Sequence, residues 1–105
     1  MEYVTLTFNP IQVISGQQMN LTCETSYCVP PANITWFKSS INFPFSSSTY
    51  HKSGDLVRTI SSVIITVDKG DNGKLVYCIA RNLDRKSVRS STDALNVMCK
   101  YRQQR

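Results

Sequence analysis

The chain has 105 residues, of which 41% are apolar and 18% charged, with a formal net charge of +5. That length builds one compact domain around a single modest core. The basic balance does not make a nucleic-acid binder, because no recognised module or aromatic–basic platform accompanies it. Part of the charge sits in Lys100–Arg105 and part between Arg81 and Arg89, where solvated loops and a frayed end account for it.

Ser and Thr are abundant, Ala is scarce and β-branched residues recur, which favours strands over helices. Tyr3 to Phe8 alternates as a first strand that Pro10 breaks, and Ile11 to Ile14 resumes it. Ser15-Gly16-Gln17-Gln18 is a turn. Met19, Leu21 and Cys23 then alternate with Asn20, Thr22 and Glu24, the pattern of a half-buried strand. After Pro30-Pro31, the next strand runs from Asn33 to Lys38 with Ile34 and Trp36 on one face. Ile41 to Tyr50, broken by Pro44 and rich in Ser and Thr, reads as an irregular edge. Leu56 to Val67 is a strand with Val63, Ile65 and Val67 on one face. Lys69-Gly70-Asp71-Asn72-Gly73 is a strong turn. Leu75 to Asn82 follows, with Val76, Cys78 and Ala80 sharing a face, and Asp84-Arg85-Lys86 makes a polar turn. Ser87 to Cys99 reads as one last strand, with Leu95, Val97 and Cys99 on one side. Seven to eight short strands with turns about every 8–12 residues predict an all-β sandwich, and no helical period or repeat competes. Residues 1–99 form the expected domain, and 100–105 a basic tail or linker remnant.

The four cysteines, Cys23, Cys28, Cys78 and Cys99, contain no Cys-x-x-Cys pair, so zinc ribbons and thioredoxin-like redox motifs lack their ligands. An oxidising compartment, cell-surface or secreted, fits them better. Two glycosylation acceptors agree: Asn20-Leu21-Thr22 and Asn33-Ile34-Thr35. Met1 is followed by Glu2 with no visible leader, and no apolar run approaches the ~20 residues of a membrane span. The chain therefore reads as an excised piece of an ectodomain with an added initiator methionine.

Several motifs in order resemble the immunoglobulin superfamily across nearly the whole chain. Gly16 with Leu21-Thr22-Cys23 is similar to the turn into strand B. Pro30-Pro31-Ala32-Asn33-Ile34-Thr35-Trp36-Phe37-Lys38 is similar to strand C. Asp71-Asn72-Gly73 and Cys78-Ile79-Ala80-Arg81-Asn82 are similar to the E–F turn and strand F. The resemblance implies a Cys23–Cys78 bond between two sheets with Trp36 packed against it, and a core that includes Leu21, Ile65 and Val76. One departure stands out. The tyrosine usual two residues before the second cysteine is replaced by Val76, and Tyr77 points to the opposite face, so the tyrosine corner is missing. Gly73 stands five residues before Cys78, one more than the common spacing. With little sequence between Trp36 and Leu56 for extra strands, this is similar to constant-like or intermediate-set domains of nectin-, nephrin- and sialoadhesin-type receptors.

Nothing in the sequence supports catalysis or a cofactor. His51 is the only histidine and sits in a polar stretch. Asp68 and Asp71 are explained by turn chemistry, and a calcium ion would need roughly 6–8 oxygen ligands. Binding is the better reading. If Cys23, Trp36 and Cys78 face inward, Thr35, Phe37, Tyr77, Ile79 and Arg81 face outward on the sheet of strands C and F. Apolar side chains with aromatic and Arg anchors mark partner sites. The competing arrangement covers Phe37 and Tyr77 with the Ile41–Phe45 segment. A glycan on Asn20 would block the opposite sheet, and one on Asn33 would shield or frame the end of strand C. Arg85, Lys86 and Arg89 form a basic loop suited to acidic glycans or an acidic protein patch.

Cys28 and Cys99 are expected at opposite ends of the sandwich. Level with Cys78 the last strand should be near Ser90, and nine more residues carry Cys99 roughly 30 Å away. A disulfide needs Cα atoms within about 7 Å. Both thiols are therefore expected to be unpaired within the domain, or to bond a neighbouring domain or chain. The expectation for function is an extracellular, non-enzymatic module for cell adhesion through protein binding on the C–F face, with itself among the candidate partners. Its parent is membrane-anchored or secreted. The alternatives are an innate-immune domain that binds glycans or microbial ligands through basic loops, and a structural spacer.

Overall fold

The computed structural model describes residues 3–39, 41–43, 47–82 and 87–98. The first sheet is built from β1 (Val4–Asn9), β3 (Gln18–Thr25), β6 (Ser47–Ser53) and β7 (Leu56–Thr66). In β3, Met19, Leu21, Cys23 and Thr25 are buried while Gln18 and Asn20 are exposed. In β7, Val57, Thr59, Ser61 and Val63 are buried in the same alternating way. Pairing the two strands with Leu21 opposite Val63 puts both apolar sets on one face. β1 and β6 flank them, giving the order β1-β3-β7-β6.

The second sheet contains β4 (Asn33–Lys38), β5 (Ile41–Phe43), β8 (Leu75–Arg81), β9 (Ser87–Arg89) and β10 (Asp93–Ala94), in the order β10-β8-β4-β5 with β9 also on β8. A parallel pair, β2 (Val13–Ile14) and β11 (Val97–Met98), closes one side. Constant-type domains have one strand fewer between strands C and D than is seen here, where β5 precedes β6. Variable-type domains have one more. Among the described residues the arrangement is therefore intermediate.

Cys23 and Cys78 are disulfide-bonded across the sheets with Cα atoms 6.7 Å apart. Trp36 lies opposite Cys78 in register and is buried. Its indole Nε1 donates a 3.0 Å hydrogen bond to Ser61 Oγ on the other sheet, so its one polar atom is satisfied inside the core. Leu21 and Val76 are fully buried, and Ile65 is half-buried against the core's rim, less enclosed than expected.

The turn after β7 is a 3₁₀ helix, Lys69–Asp71, held by a capping box. Asp68 Oδ1 accepts from the Gly70 amide, and Asp71 Oδ2 accepts from the Asp68 amide. Gly73 has φ of 84°, a left-handed conformation that glycine adopts without strain, and its amide donates to the Leu95 carbonyl at 2.9 Å. Asn72 Oδ1 accepts from the Val97 amide. The turn thus anchors the end of the chain's last strands.

Two predicted elements need correction. Within Ile41 to Tyr50 the expected edge is present but is not one irregular segment: β5 is the edge strand of the second sheet and β6 the edge strand of the first. All seven β6 residues are exposed, so β6 has no apolar alternation from which a strand could be read. Ser87 to Cys99 is not one strand either. Ser90 leaves the ladder at β9's end, its hydroxyl accepting from the Cys78 amide, and the chain then crosses from β8 to β2. The predicted level is nonetheless right, since the Ser90 amide donates to the Cys78 carbonyl. Cys99 and 100–105 lie outside the described residues.

Candidate binding face

The outward face of the second sheet follows from the pairing of β4 with β8. Phe37 lies opposite Tyr77, Thr35 opposite Ile79 and Asn33 opposite Arg81. The Phe37 and Tyr77 rings stack with centroids 5.0 Å apart and planes 13° from parallel. Such a pair contributes about 0.5–1.5 kcal/mol beyond its buried area. β9 adds Arg89 opposite Ile79. The Arg89 guanidinium lies 3.8 Å from the Tyr77 ring centroid, and its Nη2 donates to Thr92 Oγ1. β4 and β9 flank β8 on opposite sides, so Tyr77 is held between the Phe37 ring and the Arg89 cation.

Phe37, Tyr77 and Ile79 are half-buried, and Arg81 and Arg89 are exposed. β5 extends the sheet beside β4, with Asn42 opposite Phe37, rather than lying over it. Arg89 lies over Tyr77, and Pro44 and Phe45 lie outside the described residues. A shallow depression runs along the face between Asn33 and Thr35 on one side and Ile79, Arg81 and Asn82 on the other.

The charges are distributed unevenly. Among the described residues, Glu24 pairs with Arg58 on the first sheet. Asp71 is buried beside Lys38 at 3.3 Å and Lys74 at 3.5 Å. Burial pushes its carboxyl up, but the Asp68 amide and the two lysines outweigh that and hold it below the usual carboxylate range. Asp93, on β10 of the second sheet opposite the buried Val76, lines a separate hollow with Leu6, Phe8 and Ile11. No described carboxylate contacts Arg81 or Arg89. Nor do any three His, Cys, Asp or Glu among the described residues gather as metal ligands.

The other expected sites are spread over the molecule. Asn20 is exposed on the first sheet's outer face near one end of it, between Asn9, the last residue of β1, and Ile64. Asn33 is exposed on the candidate face itself, beside Arg81 at its end. Arg89 belongs to a strand of that face and not to a loop, while Arg85 and Lys86 lie outside the described residues. His51 is exposed on β6. Cys28 is a buried free thiol whose backbone bridges Val57. The sequence reading missed the stacking of Arg89 on Tyr77, although the Ser90–Cys78 level already placed Arg89 next to Ile79. The Lys38–Asp71–Lys74 cluster joins residues 33 positions apart and had no local signal.

The sequence model of the immunoglobulin domain matches residues 3–82. The chain belongs to the immunoglobulin domain family. Over 83 residues it is 35% identical to Cell adhesion molecule 2 from Rattus norvegicus, Mus musculus and Homo sapiens, a match that covers 75% of this chain and 18% of each relative. The chain thus spans less than a fifth of those proteins. Its fold matches part of the three-domain ectodomain (Ig1-Ig3) of mouse nectin-like molecule 4, with a TM-score of 0.82 and 23% identity, over 93% of this chain and 34% of that one. It also matches Rst D1-D2 with a TM-score of 0.72 and 18% identity, over 90% of this chain and 48% of that one. This immunoglobulin domain is similar to those of adhesion molecules, and the curated relatives are named for adhesion rather than for a reaction.

Proposed function

We propose that this domain is an extracellular recognition module that serves cell adhesion by binding a protein through the outer face of β4, β8 and β9. The observation that carries this reading is the Phe37–Tyr77 stack with Ile79 beside it, bordered by two exposed arginines. Aromatic and arginine side chains are the usual anchors of protein interfaces. The disulfide suits an oxidising, cell-surface or secreted setting, with the parent protein anchored in a membrane or secreted. A glycan on Asn20 would cover part of the opposite sheet, leaving the β4–β8 face as the open one. A glycan on Asn33 would frame that face at its Arg81 end.

Tetramerised domain can be tested for binding to a panel of cells by flow cytometry. Phe37→Asp is expected to lower binding at least about tenfold, a loss of roughly 1.4 kcal/mol, while Ile64→Asp on the other sheet leaves it unchanged. Equal loss from both variants contradicts the assignment of the face. No binding by any form leaves the domain as a spacer.

A further inference from the structure

Resting on that reading, we infer that the partner is a different protein, with an apolar centre rimmed by Asp or Glu, and not a second copy of this chain. Two copies meeting through one face form a two-fold, self-complementary contact in which each patch meets its own image. Here the patch centres on Tyr77 and Ile79, so Arg81 and Arg89 of each copy would be brought against a face whose described charges are again those two arginines. The neutral residues of this face, Asn33, Thr35 and Ser87, supply no carboxylate to separate them. The described carboxylates lie elsewhere: Glu24 on the other sheet, Asp55 beside the turn into β7, Asp68 and Asp71 in the 3₁₀ turn, and Asp93 beside Phe8. Like charges brought together in an interface act as a block against the wrong partner. The net charge of +5 on each copy adds repulsion on approach.

An acidic protein face meets the opposite situation. Arg81 is exposed, and Arg89 is presented by its stack on Tyr77 and its bond to Thr92. A planar guanidinium held in place suits bidentate pairing with a carboxylate. The rings favour a protein over a sugar. The Tyr77 ring is held between Phe37 and Arg89, so its edge and hydroxyl, rather than an open stacking face, meet solvent.

Charge reversal on the chain itself supplies a defined acidic probe. Arg81→Glu combined with Arg89→Glu keeps the apolar centre and makes the rim negative, and Arg81→Glu alone spares the Arg89 stack in case the double variant folds poorly. Sedimentation equilibrium at low salt is expected to show wild type and variant each monomeric. An equimolar mixture is expected to associate at least about tenfold more tightly than wild type does with itself. That association should weaken in 0.5 M salt, at which charge screening reaches only about 4 Å, and vanish with Phe37→Asp in either chain. If wild type associates with itself as tightly as the mixture and loses this with Phe37→Asp, the face is self-binding. The inference then fails while the proposed face survives. If the mixture stays monomeric and a sulfated heparin hexasaccharide binds wild type and Phe37→Asp alike, the arginines read a glycan and the inference fails. No association in any sample overturns the inference as well.

Discussion

The two outer faces of this sandwich are made by the same alternation, yet they carry opposite chemistry. On the first sheet, Asn20, Thr22, Ser62 and Ile64 lie together, and the one arginine, Arg58, pairs with Glu24 at 3.6 Å and lies over Tyr27. On the second, aromatic rings fill the centre and no described carboxylate contacts the two arginines. The first face is polar, charge-balanced and has a glycan acceptor, Asn20, exposed on β3. The second is apolar, charge-unbalanced and has its acceptor at the edge. Within one fold, the side that is unfinished on its own is the side suited to a partner.

The largest expected effect comes from removing what holds both faces in place. Cys23→Ala with Cys78→Ala should cost about 2–4 kcal/mol in chemical denaturation, because the bond closes a long loop of the unfolded chain. Both faces should loosen together, and hydrogen exchange should rise in β3 and β8 alike. A smaller effect should separate the sheets from the turn. Asp71 titrates below its ordinary value of 3.8 in the fold, so its contribution is fully present above that value. It is lost as pH falls through the lower folded value. Asp71→Asn should therefore lower stability at neutral pH by about 1–3 kcal/mol and flatten the acid limb of a stability–pH curve below pH 4. An unchanged acid limb would mean that Lys38 and Lys74 do not hold this carboxylate. Smallest of all, Arg89→Ala should cost only about 0.5–1 kcal/mol of stability while reducing partner binding by more than that. A stability loss equal to the binding loss would make Arg89 a purely structural residue.

How much of this was legible in sequence depends on the range of the signal. The parity of Cys23, Trp36 and Cys78 carries over short strands, and it placed Thr35, Phe37, Tyr77, Ile79 and Arg81 on one face. Counting from Cys78 to Ser90 also set the level of Arg89. Where burial does not alternate, sequence is silent: β6 is exposed on both sides and left no pattern. Where a strand is broken by hydrogen bonds to distant residues, the break is also hidden. Ser90 binding the Cys78 amide and Asn72 binding the Val97 amide divided what read as one strand. The covering of Tyr77 by Arg89 required the register of three strands at once.

A glycan wedge on each face tests the central claim most directly. Ile79→Asn with Arg81→Thr creates an acceptor on the β4–β8–β9 face, and Ile64→Asn creates one on the opposite face with the existing Ile65 and Thr66. Both proteins are expressed with N-glycosylation, checked for occupancy by mass spectrometry and measured for cell binding as tetramers. The account predicts that the first wedge abolishes binding and the second leaves it intact. Full binding with the first wedge, or its loss with the second, contradicts it.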